Sequence, residues 1–380
     1  MKDRYKIKIP ALVCLFLTAV LIFSCSSNKK TEYITIGALL PLTGDKSDEG
    51  IRALNGLNLA VTKINKNGGV LGKKLDVIAL NDRGDEEYAV QQYNVLKEKN
   101  AAAIVGSSYS DVTLALAKAS EEDGIPIISA AAANPEITKG RENVFRAIFI
   151  DDYQAEIMAY FAYDSLDAKT AVVLINQNPD SFKQISDVFI KTFKELGGTV
   201  IAVESYDGEN DFSRILRRFV NNKPDVIFFP GNYIPAARLI NTVHDIGLSG
   251  TYVLGSDAWD GILSYVSNPE AMKNVFYSAP FSFDDQDENV VNFVRDYFSA
   301  FSQMPLSGSA TAYTCIYILA EAIKEAGSID RKKLVSAIRQ IDMNVITGHI
   351  NFDVNNNPRT NVYIIQITGG IYSAYEKLGL

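Results

Sequence analysis

The chain has 380 residues, 47 % of them hydrophobic, and carries 37 Lys and Arg against 45 Asp and Glu, a formal charge of -8. That apolar content excludes an intrinsically disordered chain, and the acidic balance makes a poor match for nucleic acid or anionic lipid headgroups. The 2 histidines, His244 and His349, lie far apart in sequence, and no Cys/His cluster is available for zinc.

The first eight residues, MKDRYKIK, are basic, and residues 9–23 are almost wholly apolar. At about 1.5 Å per helical residue such a run falls short of a ~30 Å hydrocarbon core, so it reads as an export signal rather than a permanent span. Its end, Ile22-Phe23-Ser24-Cys25, resembles the bacterial lipobox, whose cysteine is diacylated and becomes the mature N-terminus. On that reading residues 1–24 are a signal peptide, Cys25 carries lipid, residues 25–33 are a tether, and two acyl chains anchor the protein without a spanning helix. About 356 residues with a charge of about -11 would remain, enough for two domains. Cys315 is then left without a partner and, within the helical pattern ATAYTCIYILAEAI, reads as a core thiol. No disulfide framework holds the fold, so a large core must.

After the tether, β-rich runs alternate with amphipathic helical stretches. YITIGALLP reads as a strand and precedes a helix with Leu54, Leu57, Val61 and Ile64 at helical spacing. LDVIAL, a helix through Tyr93 and Leu96, AAAIVG, a helix through Leu114 and Leu116, and IPIISAA follow. This βαβα order predicts a parallel sheet covered on both faces. VFRAIFIDD leads, without a Pro/Gly/Ser-rich linker, into a second unit of the same kind: TAVVLIN, a helix over 183–195, TVIAVESY, a helix over 211–221, DVIFFPG, a helix over 234–246, and TYVLG. Helices are expected over 286–302, 309–326 and 330–341, before GHINFD and VYIIQIT return as strands.

Marks of catalysis are missing. There is no G-x-S-x-G elbow. NGGVLGKK, residues 67–74, lacks the first glycine of a phosphate loop, puts Lys74 where Ser or Thr would meet magnesium, and follows a helix rather than a strand. It reads as a helix stop at Gly68 and Gly69. No catalytic residue, metal or cofactor is expected, and a surface hydrolase lacks any nucleophile–base pair.

IGALLPLTG, LNLAVTKINKNGGVLGKKL, IPIISAAAANPEIT, NVFRAIFIDDYQA, DVIFFPGNY, VLGSDAWDG and GHINFD together, in this order, resemble the extracytoplasmic substrate-binding proteins of branched-chain amino-acid ABC transporters. The resemblance implies an α/β fold of the type I periplasmic-binding kind: two doubly wound parallel-sheet lobes joined by three crossings, with a ligand in the cleft between them. The crossings are expected near Ala147, Ala279 and Val345, giving lobe one as 34–147 plus 280–344 and lobe two as 148–279 plus 345–380. It also implies capture of an amino acid or similar small molecule by hinge closure, with ABC permease and ATPase subunits as partners. The same closure would equally serve a sensor that signals to a membrane protein, so that alternative stays open.

Candidate ligand residues follow from the residues and from the resemblance together. GSSYSDVT, residues 106–113, follows a strand and opens a helix, which places Ser110 beside backbone N–H groups that suit a carboxylate, although the same serine could simply cap the helix. The resemblance puts the family's carboxylate-binding serine at Ser110, a main-chain contact at Ala131, and Ala133 where threonine is common. It aligns Asp257 with the acid that pairs the ligand ammonium, an acid that in isolation could be a turn former. Trp259 reads equally as a pocket wall or as core. Glu49, Asp180 or Ser181, and Asn232 stand where relatives carry aromatic rings, with Tyr233 and Phe182 close by, so the cleft is expected to be more polar than one built for leucine. Gly84 and Tyr109 occupy the places of a disulfide found in some relatives.

Overall fold

The computed structural model describes residues 32–44, 47–176, 180–206, 212–358 and 360–379. Residues 1–31, with the signal segment and Cys25, lie outside them, as do the side chains of Asp180 and Ser181. Among the described residues no helix is long and apolar enough to cross a membrane.

The chain opens with β1 (Tyr33–Leu40), α1 (Ser47–Lys66), β2 (Lys74–Asn81), α2 (Glu86–Glu98), β3 (Ala103–Gly106), α3 (Ser110–Ser120), β4 (Ile127–Ser129) and β5 (Val144–Arg146). Its five strands form one sheet in the order β2-β1-β3-β4-β5, every pair parallel. β3, β4 and β5 are buried at every residue, as parallel strands covered on both faces require. α1 ends where Gly68 (φ 102°) and Gly69 (φ 77°) adopt left-handed geometry and the Gly69 amide donates back to the Ile64 carbonyl at 3.0 Å. NGGVLGKK is therefore a helix stop and turn.

The second unit holds α4 (Asp151–Tyr160), β6 (Thr170–Asn176), α5 (Asp180–Glu195), β7 (Thr199–Tyr206), the short α6 (Phe212–Leu216), β8 (Val226–Phe228), α7 (Tyr233–Asp245), β9 (Tyr252–Gly255) and β10 (Val275–Ala279). The chain then returns to the first unit through α8 (Glu288–Phe301), α9 (Ser307–Ala326), α10 (Arg331–Arg339) and the two-stranded ribbon of β11 (Asp342–Val345) and β12 (Gly348–Asn351). It ends with β13 (Val362–Thr368) and β14 (Ile371–Leu378) in the second sheet, whose order is β14-β13-β10-β9-β8-β6-β7. That sheet is parallel from β10 to β7, but β13 and β14 join its edge antiparallel. A tight two-glycine turn, Gly369 and Gly370 both at positive φ, makes the final hairpin possible without a crossover helix.

Two readings change. α4 was not expected from the sequence, because the run before it is strand-like. The third crossing is not near Val345: Ile346 and Ile350 are buried in the same core as Leu57 and Cys315. The Phe352 ring meets Phe145 edge-on at 5.3 Å, and the Asn356 amide donates to the Arg141 carbonyl at 2.8 Å and the Val144 carbonyl at 3.0 Å. The β11–β12 ribbon thus belongs to the first unit, and the chain leaves it only after Asn357. Burial of the two isoleucines decides this, since either lobe satisfies the ribbon's own backbone.

Cys315 sits fully buried among apolar side chains of α9, which push its thiol well above its ordinary pKa. Opposite it, α1 and α9 pack so closely that a Cβ at Gly56 would lie 2.1 Å from the Ser309 carbonyl oxygen. Gly56→Ala must therefore separate the two helices; a loss of roughly 1–3 kcal/mol in urea unfolding is expected, as for other overpacked cores. An unchanged midpoint would show that this contact relaxes freely.

Candidate functional site

A cavity of about 1080 Å³ opens where the C-terminal ends of the two sheets face each other. This is where open parallel sheets offer helix N-termini and loop backbone to a ligand. The first unit supplies the start of α1 (Asp48, Glu49, Arg52), the start of α3 (Ser110) and the loop after β4 (Ala131, Ala133). The second supplies Asn232 and Tyr233 at the start of α7 and the turn after β9 with Asp257 and Asp260.

Ser110 is the first residue of α3; the preceding Tyr109 takes the cap position, and no side chain caps the helix there. Helix capping therefore does not explain Ser110, and the helix end faces the cavity. Tyr109's ring fills the space over Gly84, where a Cβ would come within 2.8 Å of it.

The loop after β4 is held from beneath. The Ser129 hydroxyl accepts from the Ala132 amide at 2.9 Å, and the fully buried Arg146 guanidinium donates to the carbonyls of Ala132 (3.3 Å) and Asn134 (2.8 Å). Burial pulls Arg146 down to about 10, against the opposing pull of Asp151 and Asp353. The Ala133 carbonyl accepts from the Asp151 amide at 3.1 Å, so Ala133 offers a methyl and its position to the cavity while its oxygen ties the loop to α4.

Asp151 and Gln154 carry roles that the sequence reading missed. Gln154 donates to the Asp151 carboxylate at 2.9 Å and accepts from the Asp257 amide at 3.1 Å and the Ser278 hydroxyl at 2.8 Å. It fixes the Asp257 turn relative to Asp151. Burial, with the nearby negative charge of Asp257 next in size, pushes the Asp151 carboxyl up to about 7, and Arg146 offsets part of that rise. Both residues stand in NVFRAIFIDDYQA, where a pair of acids and a glutamine inside an apolar run was the available signal.

Asp260 was also missed, although it lies only three residues beyond Asp257. Its carboxylate accepts from the Ser307 amide at 2.7 Å and from the Tyr277 hydroxyl at 3.4 Å. The first of these bonds joins the second unit to the N-terminus of α9 in the first, where an anion is favoured. Burial raises Asp260 to about 6; the bond to Ser307 and the charge of Arg52 oppose the rise, and Glu49 adds to it. Arg52 itself pairs with Asp48 at 2.7 Å. Tyr233 packs against Tyr265 with ring centroids 5.0 Å apart, its phenol pushed up by burial and then by the charge of Glu49.

Trp259 does not wall the cavity. It is fully buried, donates from Nε1 to the Gly231 carbonyl at 2.8 Å, and lies so close to Gly255 that a Cβ there would be 2.2 Å from the indole. Its apolar ring is covered by Phe229 and supports the Asp257–Asp260 turn from below. Of the polar departures expected from sequence, Glu49 and Asn232 line the cavity, as does Phe182; the Asp180 side chain lies outside the described residues.

Two facing α/β units around an open cleft define a two-lobed ligand-binding fold. The Periplasmic binding protein family matches residues 33–371, and the chain belongs to that family. It is 27 % identical to a Leu/Ile/Val-binding protein, BraC3, of Rhizobium johnstonii, over 84 % of this chain and 87 % of the relative. Among solved structures it is similar to a leucine binding protein, LivK, from Thermotoga maritima, with 28 % identity, a TM-score of 0.81, and coverage of 91 % and 99 %. The isoleucine complex of LivJ from Streptococcus pneumoniae shares the fold with a TM-score of 0.84 at 24 % identity, covering 92 % of this chain and all of that one. These relatives are binding proteins rather than enzymes, and the fold is the α/β type I periplasmic-binding arrangement.

The raised Asp151 yields a pH prediction. Between the ordinary carboxylate pKa and about 7 the unfolded chain has lost this proton while the folded chain keeps it, so this group lowers stability as pH rises through that window. Asp151→Asn removes the proton: denaturant unfolding is expected to show the variant gaining on the wild type from pH 4.5 to pH 7.5, in the sense ordinary for a buried acid. A constant difference across that range would show that Asp151 is ionised throughout.

Proposed function

We propose that this solute-binding protein captures an amino acid, or a small molecule built like one, by closing its two lobes, and delivers it to the permease of an ABC importer. The observation that carries this reading is the placement of Ser110 with the α3 N-terminus on one wall and Asp257 on the other. A carboxylate is favoured at the first and an ammonium at the second, which is the charge pattern of a zwitterion.

Closure is part of the reading for an energetic reason. Micromolar affinity needs about 8 kcal/mol, and a few polar contacts in a wet, open cleft fall short after association costs. A cavity of about 1080 Å³ is large for one amino acid, as expected of lobes standing apart. Bringing the walls together excludes water and adds contacts from both sides. The relatives' printed names, leucine, isoleucine and valine binding, support an amino-acid class of ligand. The polar residues Glu49 and Asn232 argue against a purely aliphatic side-chain pocket. Export and a diacylated Cys25 would place the protein at a membrane surface on the outer side, beside the permease and its ATPase.

Asp257→Ala is expected to weaken ligand binding in calorimetry by tenfold or more, about 1.4 kcal/mol; an unaltered affinity would remove Asp257 from the site. The ligand for that measurement comes from a thermal-shift screen of amino acids, amides and short organic acids. Cys25→Ala is expected to move the protein from the membrane fraction to the soluble fraction, and continued membrane retention would refute the anchor.

A further inference from the structure

The wall that carries Ser110 is built on a buried acid. Asp82 directly follows β2 and is fully buried behind the cavity lining. Its amide donates to the Leu40 carbonyl at 3.0 Å, and its carboxylate accepts from the Gly84 amide at 2.9 Å. Burial raises this carboxyl; the Gly84 amide and then the Ser107 hydroxyl, which bonds to it, oppose the rise. The turn after β2 and the turn after β3 therefore meet at one carboxylate.

Ser107 is fully buried too, and its Oγ accepts from the Tyr109 amide at 3.2 Å. A hydroxyl has one proton, so giving it to Asp82 turns the oxygen lone pairs toward that amide. From the other side Thr113 Oγ1 donates to the carbonyls of Ser107 (3.1 Å) and Tyr109 (2.8 Å). Residues 107–109 are thus held on both sides, and the bonds to the Asp82 carboxylate are of the stronger, charge-assisted kind.

What the arrangement leaves open is the end that faces a ligand. In the first turn of α3 the Asp111 carboxylate takes the Val112 amide and the Tyr109 carbonyl takes the Thr113 amide, each at 2.9 Å. The amides of Ser110 and Asp111 have no acceptor within the helix, and both residues line the cavity. We propose that Asp82, acting through Ser107, is a positioning residue for the ligand carboxylate: it sets the turn so that these two amides and the Ser110 hydroxyl converge on one point of the cleft. The proposal rests on the receptor reading above and deepens it. Asp82 does not touch the ligand; its effect passes through the Tyr109 amide, one residue before Ser110.

Titration calorimetry of the full chain tests it, with whichever of the twenty protein amino acids binds most tightly and with the C-terminal amide of that amino acid, which lacks the carboxylate. The unaltered protein is expected to favour the free acid at least twentyfold. Ser107→Ala and Asp82→Ala are each expected to cut that ratio fivefold or more, and Ser107→Thr, which restores the hydroxyl, to keep it within twofold. Ser107→Ala removes a single oxygen and carries the test alone should Asp82→Ala not fold. If the affinities for acid and amide fall together in the alanine variants, leaving the ratio unchanged, Asp82 only supports the fold and the positioning role is overturned, with the receptor reading intact. No preference for the acid in the unaltered protein would overturn the carboxylate site at Ser110 and the positioning role with it. Absence of binding by all twenty, together with no stabilisation by any solute in the thermal-shift screen, would overturn the receptor reading as well.

Discussion

The first crossing between the lobes is a line of hydrogen bonds, and the geometry of the cleft depends on it. From the loop after β4, the Ala133 carbonyl takes the Asp151 amide; the Asp151 carboxylate takes Gln154; and the Gln154 oxygen takes the Asp257 amide. Arg146, fully buried, holds the same loop from below. Buried polar groups of this kind are costly when half satisfied and rigid when complete. The strip therefore sets the distance between a loop of one lobe and the acid of the other with little freedom, just where the chain passes between them.

Asp260 reaches across to the first turn of α9, a charge-assisted bond to a helix end. Beyond it the walls combine carboxylates and tyrosines with aliphatic side chains such as Leu40, Leu114, Ile148, Ile185 and Leu263. The apolar clusters lie within the lobes rather than between them.

The cleft's electrostatics follow from the same arrangement. Removing water from Asp151 and Asp260 raises both carboxyls, to about 7 and about 6. A positive group placed between the walls would lower them again. Aromatic rings still line the cavity at Tyr109, Phe182, Tyr233, Tyr265 and Tyr372, with Tyr233 packed against Tyr265.

Much of this was legible in the residues. Continuous apolar strands alternating with amphipathic helices specify a covered parallel sheet, and the restart after residue 168 specifies a second one, because burial on both faces leaves little choice of residue types. Ser110 and Asp257 could be marked because a strand-to-helix turn exposes amides and a strand-end loop projects a side chain. What the chain could not announce was association between distant segments. That the β11–β12 ribbon joins the first lobe is decided by Ile346 and Ile350 finding the same core as Leu57. That Trp259 supports the turn instead of lining the cavity is decided by the close approach of Gly255 and Gly231. Asp260, Arg52 and Ser307 become one end of a site only when three segments more than 40 residues apart meet. Local pattern determined the elements, since it depends on periodicity and turn chemistry; tertiary packing decided the site, since proximity and water exclusion, which give its charges their strength, exist only once the lobes are in place.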